Sequence, residues 1–239
     1  MGMENVTCIR IFGSSARGDN DASSDLDVLA VYERPPSDAE RKRALVKISA
    51  ATGRNVDIAE YTSERIRQFF LNGDLFSWHL YQESEKIFSK EADLIDQLGW
   101  PARYVSGEED VRSFRKLLNG IPTALVACPN NTVFECGLMY LASRNIAMSL
   151  SWYLNEKKID FSRHAALNIT QRMGRQFPIG KAKYDELIRC RHASQRGVIA
   201  PKISQSEMIA VAANLVDWAR ELNSLMFTQE SEHSYANAI

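Results

Sequence analysis

The stretch VTCIRIFGSSARGDNDASSDLDVLAVY, residues 6–32, joins two β-rich runs through a polar segment that opens on a glycine. Val6 to Phe12 reads as a strand that ends at the turn Gly13-Ser14-Ser15, and Leu26 to Tyr32 reads as a second strand. A glycine directly after a strand permits a sharp turn and lets the backbone come close to a phosphate group. The N–H groups there and the hydroxyl of Ser14 are then placed to bond phosphate oxygens, the more so if a short helix starts at the turn. Asp25 and Asp27 open the second strand. Alternate side chains of a strand share a face, so these two carboxylates point the same way. Two carboxylates on one face are costly unless a cation sits between them, and Mg²⁺, which prefers oxygen ligands, suits that position.

Working outward, the Pro35-Pro36 break is followed by a helical pattern from Ser37 to Ala51, with Ser37 as N-cap and Glu40 three residues on as its capping-box partner. Asn55 to Tyr61 is a third strand, opened by the stop at Thr52-Gly53. Asp57 stands in its middle between Val56 and Ile58, a charge out of keeping with its neighbours unless it faces a site or a partner. If the third strand lies beside the second, Asp57 completes a cluster of three carboxylates. Two metal ions about 3.5–4 Å apart could then activate an attacking oxygen and steady a leaving pyrophosphate. Asp57 would be the group to accept the proton of an incoming hydroxyl. Singly, each aspartate could equally cap a turn or pair with a lysine; the order of strand, Gly-Ser turn, DxD strand and third strand with a central Asp is far more specific. A further helix starts near Ser63, Lys86 to Phe88 forms a short last strand, and Phe76, Trp78, His79 and Tyr81 read as a helix packed on the sheet.

From about Ser106 the texture changes to long periodic segments: Val111 to Leu118, Thr132 to Leu154, Lys181 to Arg191 and Ser204 to Phe227. In the last, Met208, Val211, Ala212, Leu215, Trp218, Ala219, Leu222 and Met226 follow helical spacing. The expected architecture is α+β, a mixed-sheet core over residues 1–100 followed by an all-α bundle over 101–239, with a polar, frayed tail from Gln229 onward.

A formal net charge of -1, from 29 basic and 30 acidic residues, exerts no global pull toward nucleic acid or an anionic membrane. Cys8, Cys128, Cys136 and Cys190 form no CxxC or CxxH pair, which disfavours a zinc site. No basic segment followed by an apolar run opens the chain, and no apolar stretch is unbroken enough to span a bilayer. The expectation is a cytoplasmic, reduced protein without a membrane partner.

The segment GSSARGDNDASSDLDVLAV resembles the signature of the DNA polymerase β-like nucleotidyltransferase superfamily, in particular its small bacterial members. The shape GSxARGxxxxxSDxDxxxV is met at Gly13, Ser14, Ala16, Arg17, Gly18, Ser24, Asp25, Asp27 and Val31. The resemblance covers roughly the first 90 residues. It implies transfer of a nucleoside monophosphate from a nucleoside triphosphate to a hydroxyl, with Mg²⁺ and release of pyrophosphate. It also implies metal ligation by Asp25, Asp27 and, as third carboxylate, Asp57. Nucleotide-binding positions carried over are Gly13, Ser14, Ser15, Arg17 and Ser24. Members of the family often begin with a helix before the first strand; here only a few residues precede it, so one sheet face needs another cover.

The second half is similar in architecture to the helical domain of aminoglycoside nucleotidyltransferases and HEPN-like proteins. Ribonuclease-type HEPN domains carry an Arg followed by a His with four to six residues between them, and no Arg-His pair here has that spacing. Glu135 is a candidate acceptor-site residue; the alternative is an ordinary acid in a first helical turn, where the dipole favours it. Arg189, Arg191, His192 and Arg196 either hold a triphosphate or RNA backbone or cap a solvated helix end. Arg144 and Asn145 either face a site or make structural hydrogen bonds. The expected activity is adenylyl-type transfer from ATP to an acceptor held between the domains. A small molecule or protein is the favoured acceptor, with a tRNA end the other option. Competing with it are a regulatory or toxin-antitoxin-type nucleotide-binding module with little turnover, and a helix-led homodimer that merely senses nucleotide.

Overall fold

The computed structural model of the chain describes residues 4–18, 26–53, 56–154 and 158–236. Two compact units divide it, residues 1–105 and 106–239. The first is built on a four-stranded sheet of β1 (Val6–Ile11), β2 (Leu26–Tyr32), β3 (Val56–Thr62) and β4 (Glu85–Ser89), in the order β3-β2-β1-β4. β1 runs antiparallel to both β2 and β4, while β2 and β3 are parallel. A parallel pair requires a crossover, and α2 (Asp38–Thr52) supplies it. Its start is set by the capping box: the Ser37 hydroxyl accepts from the Glu40 N–H, and the Glu40 carboxylate accepts from the Ser37 N–H.

The sheet is covered on both faces. On one, Val6, Ile9, Leu26, Val28, Ala30 and Tyr32 pack with Ile48 of α2. On the other, Cys8, Leu29 and Val31 meet α3 (Ser63–Asn72), α4 (Leu75–Glu83) and α5 (Leu94–Leu98) through Ile66, Phe69, Phe70, Leu80, Leu94 and Ile95. Strict alternation would not put both Val6 and Ile9 on the α2 face. A bulge does: the register slips between Val6 and Cys8, so the extra residue, Thr7, reverses the alternation. The short α1 (Gly13–Arg17) lies between β1 and β2 in sequence.

A buried ion pair locks β1 to the helical layer. Arg10, on β1, reaches Asp93 at 2.6 Å and Asp96 at 3.0 Å, and also donates to the hydroxyl and carbonyl of Ser84 at the end of α4. Asp93 in turn accepts from the N–H groups of Ile95 and Asp96, capping α5.

The second unit is helical: α6 (Gly107–Ala127), a 3₁₀ turn at Pro129–Asn131, α7 (Thr132–Leu154), α8 (Ala165–Arg172), α9 (Gly180–Arg196) and α10 (Gln205–Ala236). α7 is apolar on every side, the pattern of a central helix, and it packs against α6, α8, α9 and α10. Gly137 explains the close approach of α9: a β-carbon there would lie 3.1 Å from the Arg191 Cα. Among the described residues no helix is long and apolar enough to cross a membrane.

α10 runs from Gln205 to Ala236. α8 gave no long periodic signal because it is only eight residues. Arg144 proves structural, donating to the carbonyls of Phe161 and Ser162, and Asn145 donates to the Leu141 carbonyl.

Candidate active site

β2 and β3 bring Asp27 and Asp57 together. The two residues are direct partners in the parallel ladder. Neighbouring strands lie about 4.8 Å apart and partnered side chains emerge on the same face. That face is the one carrying Leu29, Val31, Ala59 and Tyr61, under α3 and α4, since Leu26, Val28, Val56 and Ile58 point to the α2 side. Asp27 is half-buried and Asp57 exposed, so the pair stands at the rim of the sheet where the helical cover ends.

The turn meets Asp27 directly. The Phe12 N–H donates to the Asp27 carbonyl at 3.0 Å, extending the β1–β2 ladder one residue past the strand. Phe12 is extended, and the chain then breaks into α1 through Gly13, whose φ of 69° lies in the left-handed region. Gly13 also leaves room for Asp27. A β-carbon on it would sit 2.3 Å from the Asp27 Oδ2. The space a side chain would fill at the turn is thus taken by the carboxylate, and turn and acid share one spot. The first-turn N–H groups of α1, including those of Ser14 and Ser15, have no carbonyl four residues back to bond within the helix. Both serines are half-buried.

Arg17 closes α1 and donates to Glu83 of α4 at 2.6 Å. The His79 ring, one turn earlier on α4, stands 3.0 Å from the same carboxylate oxygen and edge-on to Phe12. Glu83 escaped sequence reasoning; the signal was an acidic residue in the last turn of a helix, against the dipole. Ser24 and Asp25 lie outside the described residues. Among the described residues no group of three His, Cys, Asp or Glu side chains forms a metal-binding cluster. Of the three acids expected from sequence, two are described, and those two are adjacent.

Glu135 is buried in the first turn of α7 in the second unit, and burial raises its carboxyl above the usual carboxylate range. Arg189 and Arg196 are exposed on α9, while Arg191 is half-buried and burial lowers its pKa.

Residues 3–97 match the family model described as the nucleotidyltransferase domain. Those residues are thus a nucleotidyltransferase domain, and an all-α unit follows it in the chain. No curated protein matches the chain. Among solved structures, it is similar to a spectinomycin adenyltransferase AAD(9) from Enterococcus faecialis with ATP and spectinomycin, at 13% identity over 93% of each chain with a TM-score of 0.46. It is also similar to a toxin-antitoxin with AMP-PNP, at 15% identity over 39% of this chain and 72% of that one, with a TM-score of 0.29. A mutant of the toxin-antitoxin MntA-HpeT matches at 12% identity over 41% and 74%, with a TM-score of 0.30. At these levels the likenesses assign neither substrate nor partner.

Proposed function

We propose that this nucleotidyltransferase moves a nucleoside monophosphate, AMP from ATP, onto a hydroxyl acceptor in a Mg²⁺-dependent reaction that releases pyrophosphate. The observation that carries the reading is the in-register pair Asp27 and Asp57 on the face where Gly13 makes room for the Asp27 carboxylate. Two carboxylates at partnered positions of adjacent strands, one half-buried and one exposed, are a hard-oxygen donor set that fits Mg²⁺. Asp27 and Asp57, joined by Asp25 two residues before Asp27, would hold the ion, which when bound would offset triphosphate charge and favour departure of pyrophosphate.

The chain's own groups do the rest. The Gly13–Ser15 turn donates N–H and hydroxyl hydrogens to phosphate oxygens and fixes the triphosphate against the strand ends. Arg17 and Ser24 belong to the same nucleotide-binding segment. The acceptor oxygen forms a bond to the α-phosphorus, the bond from that phosphorus to the bridging oxygen breaks, and pyrophosphate takes the electron pair. Asp57, the more exposed of the two acids, accepts the acceptor's proton. The helical unit serves acceptor binding, with Glu135 its candidate carboxylate. A small molecule or a protein side chain fits a chain of near-neutral charge better than a long nucleic acid does.

The test is label transfer from α-labelled ATP with Mg²⁺ and cell extract as acceptor source, comparing wild type with Asp27→Asn. Label entering one fraction among small molecules, RNA and protein, and lost in the variant, is the expected result. Equal labelling by the variant would overturn the assignment. Absence of transfer from all four triphosphates would favour a nucleotide-binding regulatory module instead.

A further inference from the structure

Glu83 occupies a position that α4 itself does not favour. It is the last residue of that helix, where the dipole's negative end disfavours a carboxylate. Its side chain is also only 15% exposed. What offsets both costs comes chiefly from across the fold: the Arg17 Nη1 lies 2.6 Å from Glu83 Oε2, while the His79 Nε2, one turn earlier on α4, stands 3.0 Å from the same oxygen. Each partner leads to the Gly13 turn, from opposite ends. Arg17 is the final residue of α1, and the His79 ring packs edge-on against Phe12, the residue before Gly13, with centroids 5.5 Å apart.

This matters because α1 has five residues. One turn of helix forms too few internal hydrogen bonds to repay its nucleation cost, so tertiary contacts must hold it. At its front the anchor is the Phe12 hydrogen bond to Asp27 and the close seat of Gly13 on that carboxylate. At its rear the anchor is Arg17 on Glu83. We infer that Glu83 is a positioning residue for the nucleotide-binding turn, acting through Arg17 to hold α1 in the orientation that aims its N–H groups at the triphosphate. The inference rests on the reading of Gly13–Arg17 as the triphosphate site.

The experiment is titration calorimetry of the full chain with Mg²⁺ and, in turn, each ribonucleoside triphosphate analogue that cannot be cleaved between the α and β phosphates. Variants are Glu83→Ala, Glu83→Gln, Arg17→Ala, the double variant Arg17→Ala/Glu83→Ala, and Asp27→Asn, with melting temperature recorded for each. Glu83→Ala should weaken binding about tenfold, the scale of one hydrogen bond to a charged group. Glu83→Gln, which keeps an acceptor oxygen for Arg17, should recover most of that loss. In the Arg17→Ala background, removal of Glu83 should change nothing. An unchanged dissociation constant in Glu83→Ala overturns the inference, as does the same weakening with or without Arg17. A lowered melting temperature with unchanged affinity marks a purely structural pair and overturns it too. Should Glu83→Ala not fold, Glu83→Asp, which withdraws the carboxylate by one methylene, carries the same comparison. If wild type binds none of the four analogues, or binds them indifferently to Asp27→Asn and Arg17→Ala, the reading of the turn itself falls. If those two variants weaken binding and Glu83→Ala does not, only the role of Glu83 falls.

Discussion

Gly13→Ala is the sharpest perturbation of this site, because its two consequences can be separated. The first is backbone strain: φ is 69°, and an L-residue in the left-handed region costs about 1–2 kcal/mol. The second is a collision. The new methyl would lie 2.3 Å from the Asp27 Oδ2, whereas real β-carbons essentially never come within 3.0 Å of a heavy atom, so the carboxylate must withdraw. A shift approaching 1 Å at a reacting centre is of the order that costs about 10²-fold in rate. Gly53→Ala is the matching control: its φ is 62°, it caps α2 at the far end of the crossover, and no described atom lies within 4 Å of the added methyl. Both variants should lose about the same stability in thermal melts, roughly 2–4 °C per kcal/mol for a chain of this length. Only Gly13→Ala should lose label transfer, by about two orders of magnitude. Near-normal transfer in Gly13→Ala would refute the argument that the position of Asp27 sets the rate. Equal loss in both variants would show that strain or general destabilisation accounts for the effect.

Two further outcomes follow from buried charge. Asp93→Ala strips Arg10 of its fully buried partner and α5 of its cap, and should lower stability by about 3–5 kcal/mol in urea denaturation; a loss under about 1 kcal/mol would mean that Asp96 and Ser84 suffice to satisfy the guanidinium. Burial raises the Glu135 carboxyl, so the folded chain keeps that proton to higher pH than the unfolded one; its favourable contribution is complete below the unfolded value near pH 4.3 and is lost as pH rises through the folded value. Glu135→Gln should therefore gain thermal stability relative to wild type on going from about pH 4 to pH 8, and a constant difference across that range would contradict the burial argument.

How much of this was legible in the chain differs from element to element. β2 was bounded at Leu26 and Tyr32 from its residues alone, and α2 from its capping box, because both rest on local pattern. The face shared by residues two apart on a strand is equally local. That Asp57 stands directly beside Asp27 is not: it requires β3 to lie next to β2 and in that register, which no local pattern fixes. The bulge at Thr7 left no trace in a run that simply reads as β-rich. α5 and α8 are too short for periodicity to announce them. The capping box and the strand period act over a few residues, whereas the pairing of Arg17 with Glu83 spans 66 positions and leaves only an oddly placed acid as its mark.

The same division of scale explains how the site is held. Asp27 and Asp57 are fixed by backbone hydrogen bonds of a parallel ladder whose flanking residues, Val28 and Leu29 above all, are fully buried. Their spacing is a property of the sheet, insensitive to small changes in the helices that cover it. α1 has no such support within itself; it is anchored to the sheet at Gly13 and to α4 at Arg17. Displacing α4 slightly, by trimming Leu80 or Phe70 in the core beneath it, would move the rear anchor of the turn and leave the two acids in register. Changes in the helical cover should thus be felt first in nucleotide affinity, and changes in β2 and β3 first in turnover. The small size of α1 makes this separation unavoidable: a helix of one turn takes its orientation from whatever it touches.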